Sequence, residues 1–201
     1  MDDTQRPGHD GATSDARMNA FADPASNDFR FVLRHATRDS HTSTEAALAW
    51  FDRDPVATLP DFLSVQRTAY TALLDALAAP LPEPAERLVT SLLDDLAREG
   101  AELLPIRARR LDPLAAAYVA IGARLGTAVL RRRCAEAGID PLPAYFLPRD
   151  DVPCWRSVCD RLSAIDPGSP QAARVIRDSH AAFDLFRVAA AQIRERAHAP
   201  A

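Results

Sequence analysis

The sequence contains no lysine, so all 24 of its lysine-or-arginine positions are arginines. Planar guanidinium groups bind carboxylates and phosphates through paired hydrogen bonds, whereas ammonium groups act as point charges. The formal net charge of -4 at pH 7 leaves no broad basic field, which argues against nucleic-acid binding. An anionic ligand of this protein would therefore meet individual arginines rather than a positive surface.

Cysteine is scarce as well. The three cysteines are an odd number without metal-type spacing (Cys134, Cys154 and Cys159). This pattern excludes a disulfide framework or a zinc site and predicts free thiols in a reducing compartment. No run of 18 apolar residues occurs, and the N-terminus lacks a charged-then-apolar signal pattern. We therefore expect a cytoplasmic protein with no membrane partner.

Period-two alternation, which would indicate β-strands, is also lacking. Apolar residues instead recur at three- and four-residue intervals, which predicts an all-α fold of six or so helices. The 201 residues, 47% of them hydrophobic, suffice for one domain over residues 28–198. Residues 1–27 are rich in Asp, Gly, Pro, Ser, Asn and Thr, and we predict a disordered tail there.

Capping residues and prolines place the helix boundaries. Asp28, Asp112 and Ser169 each precede a helical pattern, and proline follows the last two directly. The predicted helices cover residues 29–50, 59–79, 84–100, 113–137, 155–167 and 170–196. A proline-rich loop is predicted at residues 141–153.

One face of the first predicted helix carries polar chemistry, because Arg34, Arg38, His41 and Glu45 lie at helical spacing. An isolated helical histidine is more commonly a hydrogen-bonded structural residue. Glu45, however, is placed to orient the ring of His41 and leave its other nitrogen free for a metal. The two arginines would disfavour the protonated imidazole. The alternative interpretation is a solvated arginine–glutamate face.

Two glycines, Gly122 and Gly126, lie one turn apart in the middle of a strong predicted helix. Each costs about 1 kcal/mol relative to alanine in a helix interior, so the missing side chains must serve a purpose. Either a neighbouring helix approaches closely, which the spacing alone favours, or a flat ligand lies against the bare backbone. An imidazole, a bare helix face and exposed arginines together would suit heme, with the arginines at its propionates.

The sequence resembles the heme oxygenase family at these two places. Residues 33–45, LRHATRDSHTSTE, are similar to the proximal-helix motif, and residues 118–126, YVAIGARLG, are similar to the distal helix. The similarity is greatest to the short bacterial biliverdin-producing forms that are often associated with bacteriophytochromes. It extends over residues 29–196 and implies a multi-helical fold with heme sandwiched between the proximal and distal helices.

The resemblance implies roles for named residues. His41 would be the proximal ligand of the heme iron, with Glu45 as its hydrogen-bonding partner. Arg34 and Arg38 would lie near the propionates, and Gly122 and Gly126 would let the distal backbone lie over heme and bound oxygen. Heme would be both cofactor and substrate, cleaved with O2 to biliverdin, carbon monoxide and ferrous iron. Electrons would come from a ferredoxin, a flavodoxin or a reductase, and a bacteriophytochrome is a possible biliverdin acceptor.

The sequence departs from the family pattern in the distal motif. Many members carry aspartate after the first distal glycine, where it supports a water network, and Ala123 stands there in this chain. Arg124 and Thr127 are the nearest polar candidates for that catalytic role. Two rival functions stay open: heme binding or sensing without turnover, and a helical interaction domain without heme.

Residues outside the two motifs are weaker candidates for heme contacts. His180, on the last helix, is interpreted as a core histidine or a second heme contact. His35 points away from the face that carries His41. Arg174 and Arg177 lie on the same helix as His180, within possible reach of the propionates, although nothing local selects them.

Overall fold

The computed structural model describes residues 28–198, which form seven α-helices and one short 3₁₀ helix, without any β-strand. The predicted all-α fold is confirmed for this part of the chain, whereas the predicted tail lies outside the described residues. The helices are α1 (Phe29–Ala36), α2 (Arg38–Arg53), α3 (Pro55–Asp75), α4 (Ala85–Arg98), α5 (Pro113–Glu136), α6 (Asp151–Ser163) and α7 (Pro170–Ala197), and the 3₁₀ helix is Ala144–Phe146.

Helix α7, the longest, organises the packing. It contacts α2, α3 and α5 extensively and α1 to a lesser degree. Helix α3 is buried on almost every side, as its run of consecutive buried residues from Phe62 to Gln66 shows. Helix α6 covers α5 and α1 on the other side. Helices α2 and α5 therefore both pack against α7.

The predicted caps hold the helix starts. A side-chain oxygen of Asp28 accepts the backbone N–H of Arg30 at 2.9 Å, and Asp112 accepts that of Leu114 at the same distance. The hydroxyl of Ser169 caps α7 by accepting the backbone N–H of Ala172, three residues further on. Each cap satisfies a donor that the first helical turn leaves unpaired.

The single helix predicted over residues 29–50 is wrong, because the chain bends at Thr37. This residue has φ -95° and ψ 4°, outside the regular helical range, and separates α1 from α2. Its hydroxyl donates to the carbonyl of Leu33 at 2.9 Å, a contact that competes with the backbone ladder and bends helices. Arg34 therefore lies on α1, whereas the other polar residues of the motif lie on α2.

The second predicted helix begins earlier than residue 59. Helix α3 starts at Pro55, where a carboxylate oxygen of Asp54 accepts the backbone N–H of Ala57 at 3.0 Å. Pro55 occupies the first helical position, where its missing N–H costs nothing. Pro60, which we took as the helix start, lies inside α3.

Helix α5 has the length and apolar composition to cross a membrane, but fewer than half of the residues in its most apolar window are buried. Length and composition alone do not distinguish a membrane-spanning helix from the core helix of a soluble protein. In the described part of the chain, α5 packs against α6 and α7.

Candidate functional site

Two side-chain contacts link α2 to α5, one near the start of α2 and the other near its end. At one end, the hydroxyls of Thr37 and Tyr118 lie 3.3 Å apart. At the other end, Asp52 and Arg133 form an ion pair. The links are fifteen residues apart on both helices, about 22 Å of helix. Because they occur in the same order, α2 and α5 run in the same direction with these faces toward each other.

Between the links, α2 and α5 are not among the helix pairs that pack extensively. We call the interval between the two links, bounded by the facing sides of α2 and α5, the interhelical slot. His41 lies four residues beyond its link, as Gly122 does on α5. Glu45 lies eight residues beyond, as does Gly126. Helical spacing therefore brings the two predicted motifs to the same levels on opposite walls of the slot.

His41 is held by its neighbours but remains accessible. Its Nδ1 lies 3.4 Å from a carboxylate oxygen of Glu45, and its side chain is 59% exposed. The ring meets the ring of Phe183 on α7 edge to face, at 5.9 Å between centroids. No residue in the described range 28–198 bonds to Nε2. One imidazole nitrogen is therefore within ion-pair distance of an exposed carboxylate, and the other has no partner in that range.

The two glycines of α5 have different surroundings. A methyl group added at Gly122 would lie 3.5 Å from the ring of Trp155, an ordinary contact, whereas one added at Gly126 would meet nothing within 4 Å. Since 3.5 Å is an ordinary van der Waals distance, packing against Trp155 leaves room for a methyl group and does not by itself require glycine at Gly122. No protein neighbour explains Gly126. Exposed Leu125 and Val129 flank it on the same face, so this wall is apolar and open.

Two arginines lie at the Thr37 end of the slot. Arg34 and Arg38 are exposed, and within the described part of the chain neither forms an ion pair. Burial raises the pKa of Tyr118, while its hydrogen bond to Thr37 and the charge of Arg34 act in the opposite direction. In sequence, Arg34 lies three residues before Thr37 and Arg38 one residue after it, so both flank the residue that contacts Tyr118.

Arg124 and Thr127, the predicted catalytic polar residues, face the protein interior. The guanidinium of Arg124 is 1% exposed and binds the Asp151 carboxylate at 3.0 Å and the Tyr145 carbonyl at 2.6 Å. The Thr127 hydroxyl donates to the Arg124 carbonyl at 2.6 Å. The structure therefore does not bring either side chain to the slot face of Gly122, and their catalytic role has no geometric support.

The other histidine candidates lie beside the slot rather than in it. Nδ1 of His180 lies 2.7 Å from the hydroxyl of Ser40, the residue before His41. This hydrogen bond joins α7 to α2 and matches the structural interpretation of His180. His35 is exposed on α1, away from the α2 face that carries His41.

Arg174 and Arg177 are engaged in ion pairs at the start of α5. Arg174 binds Asp112 at 3.2 Å, and Arg177 binds Asp178 at the same distance. Asp178 also accepts hydrogen bonds from Arg109 at 2.7 Å and from the backbone N–H of Asp112 at 2.9 Å. Burial alone raises the pKa of Asp178, but these donors and the two cations lower it overall. The cluster stabilises the fold.

Three site residues were missed by the sequence analysis. Tyr118 had a signal, since it lies four residues before Gly122 and so on the same helical face. Phe183 and Trp155 had none, because their places depend on how α7 and α6 pack.

The three cysteines are free and buried, and burial together with nearby carboxylates raises the pKa of Cys154 to about 11. Two surface depressions lie along α6, both lined in part by Arg161 and Ala164, and neither includes a slot residue. The slot therefore remains the place where unpaired polar groups and an open apolar wall come together. No protein-family model matches the chain, and a search of curated proteins finds no match either.

Proposed function

We propose that the chain is a heme oxygenase that binds heme in the interhelical slot and cleaves it to biliverdin, carbon monoxide and ferrous iron. The proposal rests on the register of the two facing helices, α2 and α5. An accessible imidazole held by Glu45 stands on α2, at the levels where α5 presents Gly122 and Gly126. The proposed architecture is accordingly a heme oxygenase-like fold, with α2 as the proximal helix and α5 as the distal helix.

The residues present fit a heme. Nothing lies within 4 Å of the missing side chain of Gly126, so a flat ring can approach the backbone there. Within the described residues, no group of three or more histidine, cysteine, aspartate or glutamate side chains could hold a bare metal ion. A porphyrin brings four nitrogen ligands of its own, so the single imidazole of His41 suffices as the protein ligand.

Each wall would contribute a different function. Nε2 of His41 would ligate the iron, while Glu45 keeps the ring oriented and its Nδ1 proton engaged. Arg34 and Arg38, without carboxylate partners, would meet the propionates. The apolar face at Leu125 would exclude water from one side of the ring. Phe183 supports the imidazole from α7.

Bound heme would supply the oxidative chemistry, since iron activates O2 against the ring that holds it. In the overall reaction one meso carbon leaves as carbon monoxide, and the two flanking carbons gain carbonyl oxygens. The remaining oxygen atoms leave as water, and iron leaves in the ferrous state. The electrons come from an external donor such as a ferredoxin, a flavodoxin or a reductase. This chemistry, a cytoplasmic location and biliverdin delivery to a bacteriophytochrome belong to the same proposal.

A heme-binding protein without turnover is the second candidate. Between the two links, the slot face of α5 carries only Gly122, Leu125, Gly126 and Val129, so no polar side chain is available there to organise proton-donating water. Hemin binding without biliverdin formation, in the presence of reductant and O2, would favour this candidate. Complete absence of hemin uptake would favour a helical interaction domain, in which Gly122 merely accommodates Trp155.

The iron-ligand role of His41 can be tested by hemin titration of a His41→Ala variant. We expect the wild-type protein to give the Soret spectrum of an imidazole-ligated ferric heme and the variant to lose it. Free imidazole added to the variant should restore the spectrum. Glu45→Gln should keep the ligand and weaken hemin binding about tenfold.

His35→Ala is the matched control, since this histidine is exposed on the neighbouring helix and should leave the spectrum unchanged. Reductant and O2 added to the wild-type complex should then convert the Soret band to the absorption of biliverdin. An unaltered Soret spectrum in His41→Ala would exclude the ligand assignment.

A substitution at Gly126 is expected to affect protein stability and hemin binding in opposite directions. Gly126→Ala is expected to raise the free energy of unfolding of the heme-free protein by about 0.5–1 kcal/mol, since the new methyl group meets no neighbour. The same methyl group would stand where the ring should lie and weaken hemin binding about tenfold. Urea denaturation and hemin titration measure the two effects.

Ala128→Gly provides the opposite control on an exposed position of α5. It should destabilise the helix and leave hemin binding unchanged. If Gly126→Ala binds hemin as tightly as the wild-type protein, the glycine does not serve a ligand.

A further inference from the structure

Trp155 forms an aromatic end wall of the interhelical slot. Its six-membered ring lies 3.5 and 3.8 Å from the position of a side-chain carbon at Gly122. Its ring centroid is 5.7 Å from that of Tyr118, with a tilt of 34° between the planes. Both contacts lie on the α5 face that looks toward α2, so the indole stands at the Thr37 end of the slot.

The end wall is held from two sides. The Thr37 hydroxyl donates to the Leu33 carbonyl and lies 3.3 Å from the hydroxyl of Tyr118. This contact fixes Tyr118, against which the indole packs. On α6, Cys154 and Val158 are buried in the core, whereas Trp155 is only partly buried. The rest of its ring surface is therefore available to a ligand.

A flat ligand attached through its centre to one imidazole keeps one rotational freedom, about the bond to that nitrogen. A porphyrin has nearly fourfold symmetry, so its rotated positions differ only in the groups at its edge. Exposed arginines such as Arg34 and Arg38 can contact such groups in several rotated positions because their side chains are long and solvated. A rigid indole cannot adjust to the edge groups in this way. The slot is thus asymmetric, closed at Trp155 and open at Gly126.

On the basis of the proposed function, we infer that Trp155 is the specificity-determining residue of this site. Its ring sets the in-plane rotation of the heme and thereby selects the meso carbon that is lost. The middle of the slot, at Gly126, leaves the ring edge accessible to O2. The indole acts through contact with the edge of the ring and takes no part in proton or electron transfer.

The test uses the full-length protein and its Trp155→Ala and Trp155→Phe variants, each reconstituted with hemin. Proton NMR of the ferric complex reports the rotational position through the hyperfine-shifted heme-methyl signals, without turnover. Chromatography of the biliverdin isomers reports the carbon lost. We expect one dominant set of signals and one isomer in the wild-type protein and in Trp155→Phe. In Trp155→Ala the population of a minor rotational position, and the fraction of the biliverdin isomer that it produces, should increase at least about tenfold.

Trp50→Phe is the control, because it removes the only other tryptophan, which stacks against Arg194 away from the end wall. If the alanine variant does not fold, Trp155→Leu keeps apolar volume without the ring and replaces it. A wild-type pattern of methyl signals and isomers in Trp155→Ala or Trp155→Leu would overturn the inference while leaving the proposed function intact. Failure of the wild-type protein to take up hemin would overturn both.

Discussion

Replacement of Arg124 by methionine is expected to lower the free energy of unfolding by about 3–5 kcal/mol, as for other buried ion pairs that lose one partner. The guanidinium joins α5 to α6 through Asp151 and holds the loop before α6 through the carbonyls of Tyr145 and Leu147. Methionine fills similar volume but leaves this carboxylate and two carbonyls without their donor. Urea denaturation followed by circular dichroism measures the change.

Arg132→Met is the matched control on the same helix. Arg132 forms an exposed ion pair with Glu136, so its removal should cost less than about 1 kcal/mol. Arg124→Lys keeps the charge without the planar fork and should fall between the two. A loss below 1 kcal/mol in Arg124→Met would contradict the structural role and reopen the catalytic prediction for this residue.

Asp178→Asn is expected to destabilise the protein by about 2–3 kcal/mol at neutral pH, since charge-assisted hydrogen bonds are worth about that much. The buried carboxylate binds Arg109 and the first turn of α5, and its pKa is lowered in the folded protein. A lowered pKa contributes stability that is complete above the unfolded value of about 3.9. That stability disappears as the pH falls through the folded pKa.

The difference in unfolding free energy between the wild-type protein and Asp178→Asn should therefore shrink in acid, below about pH 4. Urea midpoints measured from neutral to acidic pH follow this change. Asp184→Asn, which breaks an exposed pair with Arg187, should have little effect at any pH. A difference that stays constant over the whole range would contradict the titration of Asp178.

Local signals predicted the helix starts well, because a cap depends on residues a few positions apart. Asp112 followed by proline, for example, specified both the first residue of α5 and its N–H partner. The bend at Thr37 was not predicted, because a threonine hydroxyl within a helix bonds to the carbonyl four residues back without always bending the chain, and the second contact of this hydroxyl, to Tyr118, comes from α5. Local sequence carries no information about that partner.

The candidate site, like the fold, was predicted from the sequence only where local spacing determines it. The side of α5 that carries Gly122 follows from helical spacing, and this spacing already turns Arg124, two residues on, toward another face. The opposing wall, Phe183 and Trp155 depend instead on how separate helices pack. What Gly126 faces became known only from the fold, since the spacing of the glycine pair favoured close packing of a neighbouring helix, and nothing lies within 4 Å of a side chain added at Gly126.

The bend at Thr37 also bears on how a rigid disc could pass between two linked helices. Because α1 packs on α6 while α2 packs extensively on α7, α2 could move away from α5 at this bend only by loosening its contacts with α7. The Asp52–Arg133 ion pair at the far end is partly exposed, and an ion pair of this kind breaks at little cost. Since salt screens such a pair, we expect the rate of ligand uptake to increase with ionic strength.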